Sequence, residues 1–69
     1  MPDTQTAMER LNVAADYYAA ASEDRDGAMT YLKRAVREAD EAGIPRRKIA
    51  QLAGISPQTV YDTLREGQL

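Results

Sequence analysis

The spacing of five residues between Ala50 and Val60 constrains the fold of this chain more than any other feature. Two helices that meet at a sharp angle need a small residue where they cross and a turn residue that tolerates positive φ. Ala50 and Gly54 meet these two requirements. Ile55 would plug the corner, Ser56 would cap the second helix, and Val60 would point inward one turn later. The segment is therefore predicted to form two short helices joined by a tight turn.

Both helices of this pair have recognisable ends. Pro45 is predicted at the first position of the earlier helix, where its missing N–H is tolerated, and Gly54 ends that helix. The later helix is predicted to start at Pro57 and to end at Gly67. Leu64 belongs to its inward face by the i, i+4 rule.

The N-terminal part of the chain predicts a helix over about residues 6–21. Thr6 and Glu9 have the spacing of a capping box, in which Thr6 is the N-cap. Behind them, apolar residues recur at steps of three and four, which is the period of one helix face. The residues of this face are Met8, Leu11, Ala15 and Tyr18.

A further helix is predicted over about residues 27–42. Asp24 or Asp26 is its expected N-cap, and Gly43 is expected to follow it in the left-handed conformation. Twelve of the 69 residues are Ala and only four are Gly, a composition that favours helix over strand.

These segments predict an all-α protein of four short helices. A chain of 69 residues is long enough for one domain only. We divide that domain into an acidic N-terminal helix and turn (1–26) and a C-terminal part (27–69). Within the second part, about residues 27–66 would form a tri-helical core.

The overall charge hides an asymmetry between the two parts. The net charge is −2, yet residues 1–26 carry six acids and two bases whereas residues 27–69 carry five acids and seven bases. Arg46, Arg47 and Lys48 are consecutive, and no acid lies between positions 44 and 61. Because surface charges are screened over about 8 Å at physiological salt, the local field matters more than the sum. The cluster is either a polyanion contact or an ordinary solvated face.

The run from Ile49 to Leu64 resembles the helix-turn-helix of bacterial and phage DNA-binding proteins. It is similar to the C-terminal DNA-binding segment of resolvase and invertase recombinases and to small regulators of that type. The likeness covers about residues 45–66, a third of the chain. One departure is Pro57, because many such sequences have Arg or another polar residue after the turn serine.

The resemblance implies that the second helix of the motif enters the major groove of duplex DNA. There Gln58 would pair with adenine, Asp62 would accept from cytosine, and Tyr61 would contact phosphate or a methyl group. Alternatively, Tyr61 covers the edge of the core, and Gln58 and Asp62 are ordinary surface residues. The expected DNA-binding residues are Arg46, Arg47, Lys48, Ser56, Pro57, Gln58, Thr59, Tyr61, Asp62 and Arg65.

The first helix has two interpretations. It either completes the core or offers a surface to a second copy or another protein. One helix-turn-helix module buries only about 600–1,000 Å² on DNA, so a homodimer or a protein partner is expected. The residues of the possible dimer or partner interface are Met8, Leu11, Ala15, Tyr17 and Tyr18.

Several classes of protein are disfavoured by what the sequence lacks. Without Cys or His there is no disulfide, no thiolate or imidazole metal ligand, and no Cys nucleophile or His base. No Gly-rich phosphate loop is present. We therefore expect no enzyme, no cofactor, no metal and no small-molecule substrate. The absence of a signal peptide or an apolar run of about 18 residues leads us to expect a cytoplasmic location without membrane contact.

The sequence thus predicts a sequence-specific double-stranded DNA-binding protein. A small transcriptional regulator, a phage or plasmid control factor and a recombination accessory factor all remain open. The alternative is a protein-interaction module that has the same fold and binds a partner through its acidic N-terminal helix.

Overall fold

The computed structural model describes residues 3–66, which form four helices and no strand. These helices are α1 (Thr4–Ala20), α2 (Arg25–Glu41), α3 (Arg46–Ala53) and α4 (Pro57–Glu66). The predicted all-α fold is confirmed. Gly67, the predicted end of the last helix, lies outside the described residues. None of these four helices is long and apolar enough to cross a membrane.

The start of α1 corrects one prediction. Thr6 is not the N-cap; Asp3 is, and the helix begins at Thr4. The Asp3 carboxylate accepts hydrogen bonds from the Thr6 backbone N–H at 3.0 Å and the Thr6 hydroxyl at 2.8 Å. The bond from the Thr6 backbone N–H is the main reason that the pKa of Asp3 is lowered. Thr6 therefore donates to the cap instead of providing it.

Both ends of α2 follow local rules. Asp24, one of the two predicted caps, accepts from the Gly27 N–H at 3.1 Å, so the helix begins at Arg25. Gly43 has φ +87°. The next residue, Ile44, is buried, and its N–H donates to the Ala39 carbonyl at 3.1 Å. This is the C-terminal turn that was predicted with Gly43 in the left-handed conformation.

The turn between α3 and α4 also has its predicted form. Gly54 has φ +69°, and the Ile55 N–H donates to the Ala50 carbonyl at 3.1 Å. Pro45 differs from the prediction because it is the N-cap of α3 instead of its first helical residue. Its backbone is extended (ψ 144°) while its carbonyl accepts the first helical hydrogen bond, from Ile49.

The first two helices form an antiparallel hairpin. Arg10 of α1 donates to the Glu38 carboxylate at 2.7 Å, and the rings of Tyr17 and Tyr31 meet edge to face at 5.9 Å. α1 packs on α2 and α3, and α4 packs on the same two helices. Within residues 3–66, α1 and α4 make no contact with each other. The two helices therefore lie on different sides of the molecule.

All four helices contribute to one core. Its largest fully buried side chains are Leu11, Leu32, Val36, Ile49 and Val60. The inner face of α1 consists of Ala7, Leu11 and Ala14, so the first helix completes the core. The apolar face predicted for this helix was displaced by about one residue from the observed one. Met8, Ala15 and Tyr18 are only half-buried, at the edge of the observed face.

Candidate nucleic-acid interface

α4 divides into a buried face and an exposed face. Val60 and Leu64 are buried as predicted, and Thr63 is buried beside them, which the sequence did not indicate. Thr59 is half-buried at the boundary. The exposed residues of this helix that were expected to contact DNA are Pro57, Gln58, Tyr61, Asp62 and Arg65.

Two expected contact residues help to begin α4. The Thr59 N–H donates to Ser56 Oγ at 3.2 Å, and the hydroxyls of Ser56 and Thr59 lie 2.9 Å apart. An N-cap of this kind satisfies a backbone donor that would otherwise lack a partner inside the helix. Ser56 is exposed and Thr59 half-buried, so their first role is structural. Pro57 follows at the first helical position and is exposed.

Gln58 and Asp62 form a pair on the exposed face. Gln58 Nε2 donates to Asp62 Oδ1 at 3.1 Å, with the residues one helical turn apart. The pair leaves the Gln58 carbonyl oxygen available. A bidentate contact with adenine needs both the donor and the acceptor of the glutamine, so this bond would have to open on binding.

The first residue of α3 is brought onto α4. The Arg46 guanidinium lies over the Tyr61 ring, 4.6 Å from its centroid. Asp40, near the end of α2, forms an ion pair with the same arginine, with 3.9 Å between Asp40 Oδ1 and Arg46 Nε. Both side chains of this ion pair are 40% exposed, so solvent weakens it. Stacking on tyrosine keeps the cation at the surface while it covers the ring.

A shallow cleft beside the Arg46–Tyr61 stack is also lined by a second arginine, Arg65. Its volume is about 140 Å³, and it is lined by Arg46, Tyr61, Leu64 and Arg65. Leu64 provides an apolar floor, whereas the two guanidinium groups and the Tyr61 hydroxyl provide hydrogen-bond donors. An anionic group with several oxygen acceptors, such as a phosphate, matches this set of donors.

Arg47 and Lys48 continue the cationic surface at the start of α3. Both are exposed. Within residues 3–66 neither forms an ion pair. They follow Arg46 directly in the first turn of α3, but they do not line the cleft.

The residues expected at a partner interface do not share one surface. Leu11 is fully buried in the core, so its place at an interface was predicted wrongly. Met8 and Ala15 are half-buried against the core. The half-buried Tyr18 ring lies under the Arg25 guanidinium at 4.9 Å. Tyr17 alone is exposed, and it contacts Tyr31.

The structure also adds residues that the sequence analysis did not select. Asp40 positions Arg46. Arg37 shares a face of α2 with Asp40 and Lys33, and its Nε is buried without a hydrogen-bond partner in the described part of the chain. Lys33 pairs with Glu66 of α4 at 3.0 Å. No local pattern marks Asp40 and Lys33, because their partners lie on other helices.

The described residues contain no cluster of three or more acidic residues that could hold a metal ion. Comparisons of the chain with protein-family models, curated proteins and solved structures return no match.

Proposed function

We propose that this protein binds double-stranded DNA, with α4 in the major groove and the start of α3 on the phosphate backbone. The observation that carries the proposal is the cleft in which Arg46 and Arg65 flank Tyr61 on the exposed side of α4. A transcriptional regulator or a phage or plasmid control factor is the role that fits a module of this size.

The charge around α4 supports this proposal. Its exposed side and the start of α3 together carry Arg46, Arg47, Lys48 and Arg65. Of the two acids on α4, Asp62 is hydrogen bonded to Gln58 and Glu66 is paired with Lys33. The local balance is positive although the whole chain is negative. Phosphate contacts provide most of the sequence-independent affinity for DNA, so this surface suits a duplex backbone.

The acids of the N-terminal part do not oppose this interaction. α1 makes no contact with α4, although both helices pack on α2 and α3. Packed helix axes are about 8–10 Å apart, so at least one Debye length of about 8 Å separates the two surfaces at physiological salt. Phosphate would instead repel the acids of α1, so the side of the molecule that carries α1 would face away from DNA.

The test is a titration of random-sequence duplex DNA at several salt concentrations. We expect a dissociation constant of about 10–100 µM that rises steeply with salt. Arg46→Ala should weaken binding about tenfold and reduce the salt slope by about one. Arg10→Ala is the matched control, because it removes one arginine from α1, which does not touch α4. Binding that does not change with salt, or an equal loss in both variants, would contradict the proposal.

The second candidate is a protein-interaction module that binds through its N-terminal helix. The exposed Tyr17, in contact with Tyr31, favours it. The same titration separates the two candidates, since a module of this kind would leave duplex DNA unbound even at low salt.

A further inference from the structure

We propose that the outer face of the α1–α2 hairpin is a self-association surface that a second copy of this chain covers. We call this surface the hairpin patch and define it by Val13, Tyr17 and Tyr31. The proposal is independent of DNA binding, because self-association is measured without DNA.

The hairpin patch concentrates the exposed apolar side chains of the molecule. Within residues 3–66, the exposed large hydrophobic residues are Val13 (57%), Tyr17 (48%), Tyr31 (38%) and Tyr61. The first three are contiguous: Val13 lies one helical turn before Tyr17, and Tyr17 contacts Tyr31 at 5.9 Å. Contiguous apolar groups on a soluble protein indicate a contact surface, whereas scattered ones do not.

The charges beside the hairpin patch that form no ion pair are divided between its two helices, whereas Arg10 of α1 and Glu38 of α2 pair with each other. On α1, Glu9 and Asp16 lie one turn before and one turn after Val13. On α2, Arg34 lies one turn after Tyr31. These three side chains are exposed, and none of them forms an ion pair within the described residues. The acidic edge and the basic edge of the patch are therefore both free to pair.

The register of the hairpin makes these edges self-complementary. Because Arg10 lies opposite Glu38 and Tyr17 opposite Tyr31, Arg34 is level with Ala14. A two-fold axis parallel to the hairpin would lay α2 of one copy against α1 of the other at the same level. Arg34 would then lie beside Asp16 of the second copy, and the symmetry would repeat this pair. A patch with charges of one sign would oppose such a contact.

The charges beside the hairpin patch favour a second copy of the chain, and not a nucleic acid, as the molecule that covers it. Acids border the patch on α1, and they would repel phosphate. The three residues of the hairpin patch lie on α1 and α2, whereas the surface proposed to bind DNA lies on α3 and α4. The patch is small, so the dimer is expected to be weak and in exchange with the monomer.

The experiment is sedimentation equilibrium of the whole chain without DNA, up to about 1 mM. Mass should rise from the monomer value of 7.6 kDa towards twice that value. Asp16→Arg and Arg34→Glu should each weaken dimerisation about tenfold, because each brings like charges together. An equimolar mixture of these two variants should associate almost as well as the unaltered chain, because each restores the other's ion pairs. A partner of different sequence would not produce this rescue.

A matched pair of tyrosine variants tests whether the apolar residues of the hairpin patch contribute to dimerisation. Tyr17→Ser should weaken dimerisation about tenfold, since it removes a buried aromatic ring from the contact. Tyr61→Ser, at an equally exposed position on α4, should leave the dimerisation constant unchanged. Circular dichroism verifies that each variant is folded. A monomer at every concentration, equal effects of the two tyrosine variants, or no rescue in the mixture would each overturn the proposal.

Discussion

Tyr17 and Tyr61 are the same residue type at almost the same exposure, 48% and 49%, yet their surroundings differ. Tyr17 meets the ring of another tyrosine, Tyr31, on the hairpin. Tyr61 lies under the guanidinium of Arg46, beside a second arginine in the cleft. One tyrosine therefore extends an apolar surface, whereas the other belongs to a cationic surface. Exposure alone would have assigned them the same role, and only their neighbours support the two different roles that we propose for them.

The comparison also explains how an acidic chain can have a basic face. The acids Glu9 and Asp16 lie on α1, and the bases Arg46, Arg47 and Lys48 lie at the start of α3. The net charge of −2 averages these two regions. A bound polyanion responds to the region within one Debye length of it and not to this average.

The largest expected effect is a difference in the free energy of unfolding between substitutions on the inner and the outer face of α1. Leu11→Ala should lower the free energy of unfolding by about 3 kcal/mol, because it leaves a cavity in the core. Val13→Ala, half a turn away and exposed, should change it by less than about 0.5 kcal/mol. Urea denaturation followed by circular dichroism measures both values. Equal losses would mean that α1 has no distinct inner face.

A substitution at Gln58 tests whether the exposed face of α4, which also carries Tyr61, recognises bases. Gln58→Ala should remove preference at one base pair and reduce affinity for the selected site by about 1–3 kcal/mol. Its affinity for random duplex should change little, because Gln58 carries no charge. Competition binding with single-base variants of a selected site gives both values. A loss that is equal for every sequence would place Gln58 on the backbone.

A smaller and sequence-independent effect is expected at the start of α3. Arg47→Ala should weaken binding to every duplex about equally and reduce the salt slope by about one unit. The reason is that the exposed Arg47 side chain offers charge to phosphate and forms no ion pair in the described structure. Titrations at three salt concentrations measure the slope. If this variant instead changed base preference, the assignments of Arg47 and Gln58 would be exchanged.

A still smaller effect of opposite sign is expected from the acid on α4. Asp62→Asn should strengthen binding to random duplex about threefold at low salt, because it removes a negative charge from the surface that faces phosphate. The asparagine retains an acceptor for the Gln58 amide. Glu23→Gln, in the turn between α1 and α2, is the control, and it should leave duplex affinity unchanged. An unchanged affinity in Asp62→Asn would remove α4 from the interface.

The smallest effect concerns the stability of α1 at low pH. The pKa of Asp3 is lowered by hydrogen bonds from Thr6, so the ionised cap stabilises the folded state above about pH 4. This contribution is lost as the pH falls through the lowered pKa. Asp3→Asn should therefore reduce the melting temperature at pH 7 more than at pH 3. Thermal melts across this range measure the difference, and a reduction that does not depend on pH would show that charge is irrelevant to the cap.

Much of the fold could be predicted because its signals are local. Gly43 and Gly54 end their helices with positive φ, and Ser56 caps α4. The error at Thr6 arose because Asp3 is also a good cap and lies one turn earlier. The error at Leu11 has a different origin: an apolar stripe predicts which face is apolar, but not whether the chain itself or a partner covers it.

The candidate site could be predicted only in part. Helical periodicity was sufficient to place Gln58, Tyr61 and Arg65 on the exposed side of α4. The stack of Arg46 on Tyr61 was not predictable, because it depends on how α3 crosses α4. The hairpin patch was missed for the same reason, since Tyr31 joins Tyr17 only after α1 and α2 have packed.

The sequence by itself determined four helices, most of their ends and the inward residues of α4. These properties depend on caps, turns and a period of 3.6 residues, all of which act within a few positions of the chain. The tertiary structure decided that Leu11 is buried, that Arg46 stacks on Tyr61, and that the hairpin patch is exposed. Each of these depends on the distance and angle between two packed helices, which no short stretch of sequence specifies.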